Sequence, residues 1–262
     1  LVPRHLRLAV RERLNWRGEV LTPLDDESVS ALLPVLAAQG IDSVAIGLLH
    51  AYANPAHEQR VAALLQAGLP HAYFSLSSDV CPEVREYERQ STTCANAYVQ
   101  PVMATYLQSL RDGLNARGLG CDLLLMSSAG NLMSLEAARR FPIRLVESGP
   151  AGGAILAAQI ATDEALDSVL SFDMGGTTAK ICLIDDAAPM TSRSFEVARA
   201  YRFMRGSGLP VRIPVIEMVE IGAGGGSVDA QSTQSVASTM QDAGMSNSQI
   251  SAASDLPAEL QK

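Results

Sequence analysis

Aromatic residues are scarce in this chain of 262 residues: Phe, Trp and Tyr together make up 5%, with a single Trp. A folded core must therefore be assembled mainly from Leu, Val, Ile, Ala and Met. The 47% hydrophobic and 18% charged fractions supply such a core and exclude a disordered chain. Only four cysteines are present, Cys81, Cys94, Cys121 and Cys182, with no CxxC pair and no zinc-like spacing. They read as reduced packing residues of a cytoplasmic protein. Positive charge is also short: 20 Lys and Arg stand against 28 Asp and Glu, a formal net charge of −8. With no basic excess to neutralise phosphates, a nucleic-acid partner is not expected. No apolar run approaches the ~18 residues of a membrane span, and no basic-then-apolar leader opens the sequence. A P-loop, GxxxxGKS or GxxxxGKT, is absent. The first residue is not Met, and strand-like LRLAVRERL follows at 6–14, as expected of a sequence that starts within a longer one.

What is present alternates between strand and helix signals. Apolar–polar alternation on either side of Asn15, Trp16, Arg17 and Gly18 predicts two short strands and a turn. Acidic Asp25, Asp26 and Glu27 suit a helix start. Val29, Leu32, Leu33 and Leu36 form a helical stripe ending at Gly40, with Pro34 expected to kink or shorten it. Residues 41–49, IDSVAIGLL, are a continuous apolar run, the mark of a buried parallel strand. Asn54 and Pro55 open the next helix, which carries Val61, Leu64 and Leu65, and residues 73–77 make another strand. The longest helical pattern covers 83–117. In it Val84, Tyr87, Ser91, Cys94, Tyr98, Val102, Tyr106 and Leu110 recur every three or four positions, with Pro101 inside. Residues 123–126 form a strand, and the polar loop 127–131 lies at its carboxyl end, where open α/β sheets bind ligands. A small-residue helix, a strand at 168–172, a turn and a second strand at 179–184 follow. Residues 211–221 are strand-like. This order is that of an α/β fold. The expected division is 1–165, with the long helix; 166–229, with the hairpin; and a polar, flexible tail at 230–262 rich in Ser, Gln and Ala.

The chemistry concentrates at residues 173–180, DMGGTTAK. A carboxylate, Asp173, ends an apolar strand, and Gly175 and Gly176 follow, able to take positive φ and to let a ligand approach the backbone. Their N–H groups, with those of Thr177 and Thr178, can form an anion-binding concavity. Asp173 would repel phosphate directly, so its role there is to hold Mg2+ through water. Lys180 supplies a positive charge on the face it shares with Thr178. An ordinary Gly-Gly hairpin explains the same residues without a ligand. A second cluster, Gly222, Gly224, Gly225, Gly226 and Ser227 in GAGGGS, follows a strand; it reads either as a close backbone–ligand approach or as a flexible linker. SGPAGG at 148–153 reads as a helix start facing an anion or as a tight packing site. Glu147, just before it, is the candidate acid outside the turn.

These pieces together resemble one family. Glu86 to Thr93 (EYERQSTT) with Asn96-Ala97-Tyr98, then SGPAGG, FDMGGTTAK and IGAGGGS, stand in the order seen in the hydantoinase A/5-oxoprolinase family. LTPLD at 21–25 and LLHAYANPAHE at 48–58 fit it as well. The resemblance covers about residues 1–228. It implies two ribonuclease-H-like lobes of the actin/Hsp70/sugar-kinase type closing on ATP, incomplete in this sequence, with DMGGTTAK as the second lobe's phosphate turn. It also implies ATP, Mg2+ and often K+ as cofactors, and a cyclic amide such as 5-oxoproline or a hydantoin as substrate. Related subunits carboxylate ketones. Asp173 and Glu147 are then the catalytic carboxylates. The family's earlier turn, of the form DVGGTFTD, is missing, so a hydantoinase B-type subunit or the absent first-lobe segment is the implied partner. A non-catalytic nucleotide-binding module is the alternative.

Other candidates carry weaker signals. His50, His57 and His71 read as satisfied or surface histidines, with a general base as the alternative. Glu217 and Glu220, upstream of GAGGGS, lie on a strand that faces either a cleft or solvent. Arg89 and the hydroxyls Ser91, Thr92 and Thr93 read as packing residues, with substrate contact as the alternative.

Overall fold

The structure, a computed structural model, describes residues 2–176, 178–198, 200 and 206–221. It is a mixed α/β chain of two compact units. One comprises Leu1–Leu125, Leu132–Val146 and Arg193–Pro214; the other comprises Met126–Asn131, Glu147–Ser192 and the chain from Val215 onward. The expected tail at 230–262 lies outside the described residues. Among the described residues no helix is long and apolar enough to cross a membrane.

The first unit is built on a parallel strand pair, Ser43–Ile46 and Tyr73–Leu76, aligned from Ser43↔Tyr73 to Ile46↔Leu76. Parallel strands need a crossover, and the helix Ala56–Gly68 supplies it. Asn54 Oδ1 accepts the Ala56 amide at 3.1 Å at that helix's start. Upstream, Asp25 caps the helix Asp26–Ser30 by accepting from the Glu27 and Ser28 amides. Pro34 does not kink the stripe but divides it: it sits in the first turn of a separate helix, Leu33–Ala38, where a missing N–H costs nothing. Val29, Leu36, Ile46, Val61 and Leu65 form the core between these elements.

The long helix, Glu86–Ala116, runs unbroken through Pro101 and packs against both parallel strands. In its first half the polarity is largely the reverse of an ordinary amphipathic helix. The aromatic and valine part of the stripe that periodicity picked out faces outward, with Tyr98 and Val102 73% and 72% exposed, while Ser91, Cys94 and Leu110 are half-buried. Over that half the inward face is mainly polar, with Arg89, Thr92, Thr93, Asn96 and Gln100 all buried, whereas Ala104 and Leu107 bury an apolar face further along. Polar groups tolerate burial only when bonded, and these five are. Asn96 Nδ2 donates to Ser75 Oγ at 2.9 Å and to the Arg140 carbonyl at 3.0 Å. Thr92 Oγ1 accepts the Arg212 amide at 2.8 Å. Arg89 donates to Ser77 Oγ, the carbonyls of Glu83 and Leu48, and Glu86 Oε1, all between 2.9 and 3.1 Å. Fully buried Glu58 completes the hub, accepting from Ser77 Oγ at 2.6 Å and from the Leu48 and Ser78 amides at 2.9 Å.

The second unit contains the antiparallel hairpin Ser168–Met174 and Ala179–Asp185, paired without a register break. Val219–Ile221 joins the far side of the second strand, so that strand is central. The helix Ser148–Asp163 covers one face, where Ala151, Ala154 and Ala158 meet Cys182, Ile184 and Ile216. Close packing is thus carried by alanines, while an added Cβ at Gly149 or Gly153 would meet nothing within 4 Å. The strand expected over 211–221 is three short ones, Leu209–Val211, Val215–Ile216 and Val219–Ile221.

Candidate functional site

The turn at 173–180 is the tip of the antiparallel hairpin, and its closing contact is the Gly175 N–H donating to the Thr178 carbonyl at 3.0 Å. One of the four amides expected to face an anion is therefore used within the turn. Nor do the glycines serve a left-handed backbone: φ at Gly175 and Gly176 lies outside the positive range that favours glycine. Packing does not demand them either. A Cβ on Gly175 would find the Thr178 carbonyl oxygen at 3.8 Å, an ordinary contact, and one on Gly176 would meet nothing within 4 Å. Thus neither glycine is required by the described residues around it.

Asp173 is the penultimate residue of the first strand, exposed, and among the described residues its carboxylate has no hydrogen-bond or ion-pair partner. It stands directly opposite Lys180, which on its other side stands opposite Glu220. Opposite residues of antiparallel strands share a sheet face. Asp173, Lys180 and Glu220 therefore form an acid–base–acid row on the face that carries Cys182 and Ile184. The Lys180 ammonium makes an ion pair with Glu147 Oε2, and the two side chains are 18% and 29% exposed. Glu147 sits at the start of the 148–163 helix with φ 60, in the left-handed region, and its side chain does not cap that helix.

The structure thus brings together Asp173, Gly175, Gly176, Thr178, Lys180 and Glu147. Thr177 and Gly222, Gly224, Gly225, Gly226 and Ser227 lie outside the described residues. Ile221, the residue before the second glycine cluster, pairs with Ala179, immediately after the turn. No group of three or more His, Cys, Asp or Glu able to hold a metal occurs among the described residues. A lone carboxylate still fits Mg2+, which keeps most of its water and takes one or two carboxylates plus phosphate oxygens.

The remaining candidates are elsewhere. His57 Nδ1 lies 2.8 Å from Glu12 Oε2, a pair with both side chains largely buried. His71 is exposed. His50 has a left-handed φ of 60 and stacks edge-on to Tyr52. Its amide donates to Glu86. Burial pushes the Glu86 carboxyl up, but Arg89 and that amide outweigh it and hold it below the usual range. Burial raises the Cys182 thiol to about 11, so it is no nucleophile at neutral pH. Glu220 is the site residue the sequence left least defined. Its strand was legible, but neither its face nor its position opposite Lys180 was.

Comparison with known proteins places the chain. The hydantoinase/oxoprolinase family model matches residues 89–254, and the model for that family's N-terminal region matches 1–69. An uncharacterized protein of Methanocaldococcus jannaschii is 36% identical over 231 residues, which cover 87% of this chain and 34% of that protein. The caprolactamase subunit alpha of Pseudomonas jessenii is 32% identical over 228 residues, covering 87% of this chain and 32% of the subunit. The solved structure of nucleotide-free acetone carboxylase, described as an ATP-dependent enzyme, superposes with a TM-score of 0.73 at 26% identity, covering 88% of this chain and 32% of its own. The chain spans about a third of the length of these relatives.

Proposed function

Because the chain belongs to the hydantoinase/oxoprolinase family, we propose that its 173–180 hairpin binds the phosphates of ATP. The observation that carries this reading is the glycine pair. Among the described residues neither φ nor packing requires Gly175 and Gly176, which leaves their backbone open to a ligand approaching from outside. A phosphate chain seated against backbone N–H groups is such a ligand. The Asp173 carboxylate beside the turn, which has no partner among the described residues, would hold Mg2+ through water, and that ion would neutralise charge on the phosphates. Ile221, beside Ala179, supports a role for the 222–227 cluster at the same site. K+ as a further cofactor and the actin-like lobe arrangement belong to the same proposal.

For the whole protein we extend the reading to ATP-dependent opening of a cyclic amide of the 5-oxoproline or hydantoin type. An amide oxygen is a poor leaving group until phosphorylated, and phosphoryl transfer asks a protein mainly for positioning and charge neutralisation. Glu147 and Asp173 are the proposed catalytic carboxylates. Carboxylation of a ketone is the second reading, favoured by the acetone carboxylase likeness. The subunit name of the caprolactamase relative supports a partner, here a hydantoinase B-type subunit or the first-lobe segment. For these 262 residues alone the proposal stops at nucleotide binding, since they span a third of the relatives. A thermal melt tests it. Mg·ATP should raise Tm in a concentration-dependent way, and Mg2+ with adenosine should not; equal melting in both would defeat the reading. With the remaining polypeptide supplied, turnover of 5-oxoproline, hydantoins and small ketones would assign the substrate.

A further inference from the structure

Lys180 is the single cation of the hairpin segment 168–185, yet it is not free to meet a phosphate. Its ammonium is paired with Glu147, and Asp173 and Glu220 flank it on the neighbouring strands. Three carboxylates thus surround one positive charge at the place where a polyanion is read to bind. Glu147 is unusual in its own right. Its side chain leaves the first amides of its helix uncapped and is free to point elsewhere. The residue holds a left-handed backbone, φ 60, which non-glycine residues avoid, and reaches across to the strand.

We propose that Glu147 is an internal competitor for Lys180: an autoinhibitory contact that stores the ammonium until a polyphosphate displaces the carboxylate. The proposal rests on the reading that this hairpin binds phosphate. Glu147 and phosphate are both anions within reach of one cation, so each must weaken the other's hold on it. With both partners less than a third exposed, water screens the pair only in part.

Calorimetric titration of the full chain with Mg·ATP tests this. Glu147→Gln keeps the shape and removes the charge; it should tighten binding about fivefold, the scale of a partly exposed ion pair. Glu147→Gly removes the carboxylate and the backbone strain together and should tighten binding equally while melting no lower than wild type. Lys180→Gln should weaken binding about fivefold. The double variant Glu147→Gln with Lys180→Gln should match Lys180→Gln alone. Unchanged or weaker binding by both Glu147 variants would overturn the proposal. So would tightening by Glu147→Gln that persists without Lys180, because Glu147 would then merely repel phosphate. Absence of binding by folded wild type would sink the phosphate reading itself, and the two failures are thereby told apart.

Discussion

Replacing Arg89 by Met separates an architectural arginine from a substrate-binding one. Arg89 is fully buried and donates four hydrogen bonds, two of them to backbone carbonyls. Methionine fills a similar volume but donates nothing. The Leu48 and Glu83 carbonyls lose a donor, at about 1 kcal/mol or more each. Glu86 loses its cation, and breaking a buried pair costs about 3–5 kcal/mol. Because Glu86 is 30% exposed, water recovers part of that, which puts the whole change near 4 kcal/mol. With a urea m-value of about 2 kcal/mol/M, the midpoint should fall by about 2 M. Circular dichroism at 222 nm follows it, since the 31-residue helix that bears Arg89 dominates the signal. A midpoint shift below about 0.5 M, with loss of ligand binding instead, would refute the architectural role and restore substrate contact.

Two further perturbations probe the packing. Burial raises the Cys81, Cys94 and Cys182 thiols, the last to about 11 from an ordinary 9.0. A raised folded pKa favours the neutral form in the folded state. The associated stability is complete below about pH 9 and lost as pH rises toward 11. Urea midpoints should therefore fall across that window, and less steeply in Cys182→Ala; equal slopes would contradict the assignment. Gly130 has φ 79, and an added Cβ would lie 2.7 Å from Ile155 Cδ1 and 2.9 Å from Ile216 Cδ1. Gly130→Ala should cost about 1–3 kcal/mol, seen as a lower melting temperature; an unchanged melt would show the site relaxes freely.

Much of this was legible in the sequence because it depends on local signals. The hairpin follows from two apolar runs around a Gly-Gly turn, and the crossover helix from Asn54, Pro55 and the Val61–Leu65 spacing. The long helix was legible as a helix, but its inward face was not. Periodicity marks apolar positions, and here Tyr87, Tyr98, Val102 and Tyr106 point out while Arg89, Asn96 and Gln100 point in. A polar residue is buried when partners await it, and those partners, Ser75, Ser77 and the Arg140 carbonyl, come from distant segments. Buried Glu58 gave no signal for the same reason. At the hairpin tip, composition singled out Asp173, Gly175, Gly176 and Lys180 as candidates. It could not show that the Gly175 amide is spent within the turn. Nor could it show that Lys180 answers Glu147, since that pairing depends on how the 148–163 helix lies on the sheet.

The function proposed for this chain requires that the 173–180 hairpin hold nucleotide phosphates. Calorimetric titration of Mg·ATP into the wild-type chain, Asp173→Ala and Gly175→Val measures this most directly. Neither change should disturb the fold. Asp173 is exposed and unpaired among the described residues, and a Cβ on Gly175 meets its nearest neighbour at 3.8 Å. Surface changes of this kind stay within about 0.5 kcal/mol. The expected result is weak binding by wild type that falls at least about tenfold, or 1.4 kcal/mol, in each variant. A well-folded wild type that binds no nucleotide, or binding that survives both substitutions, would contradict it.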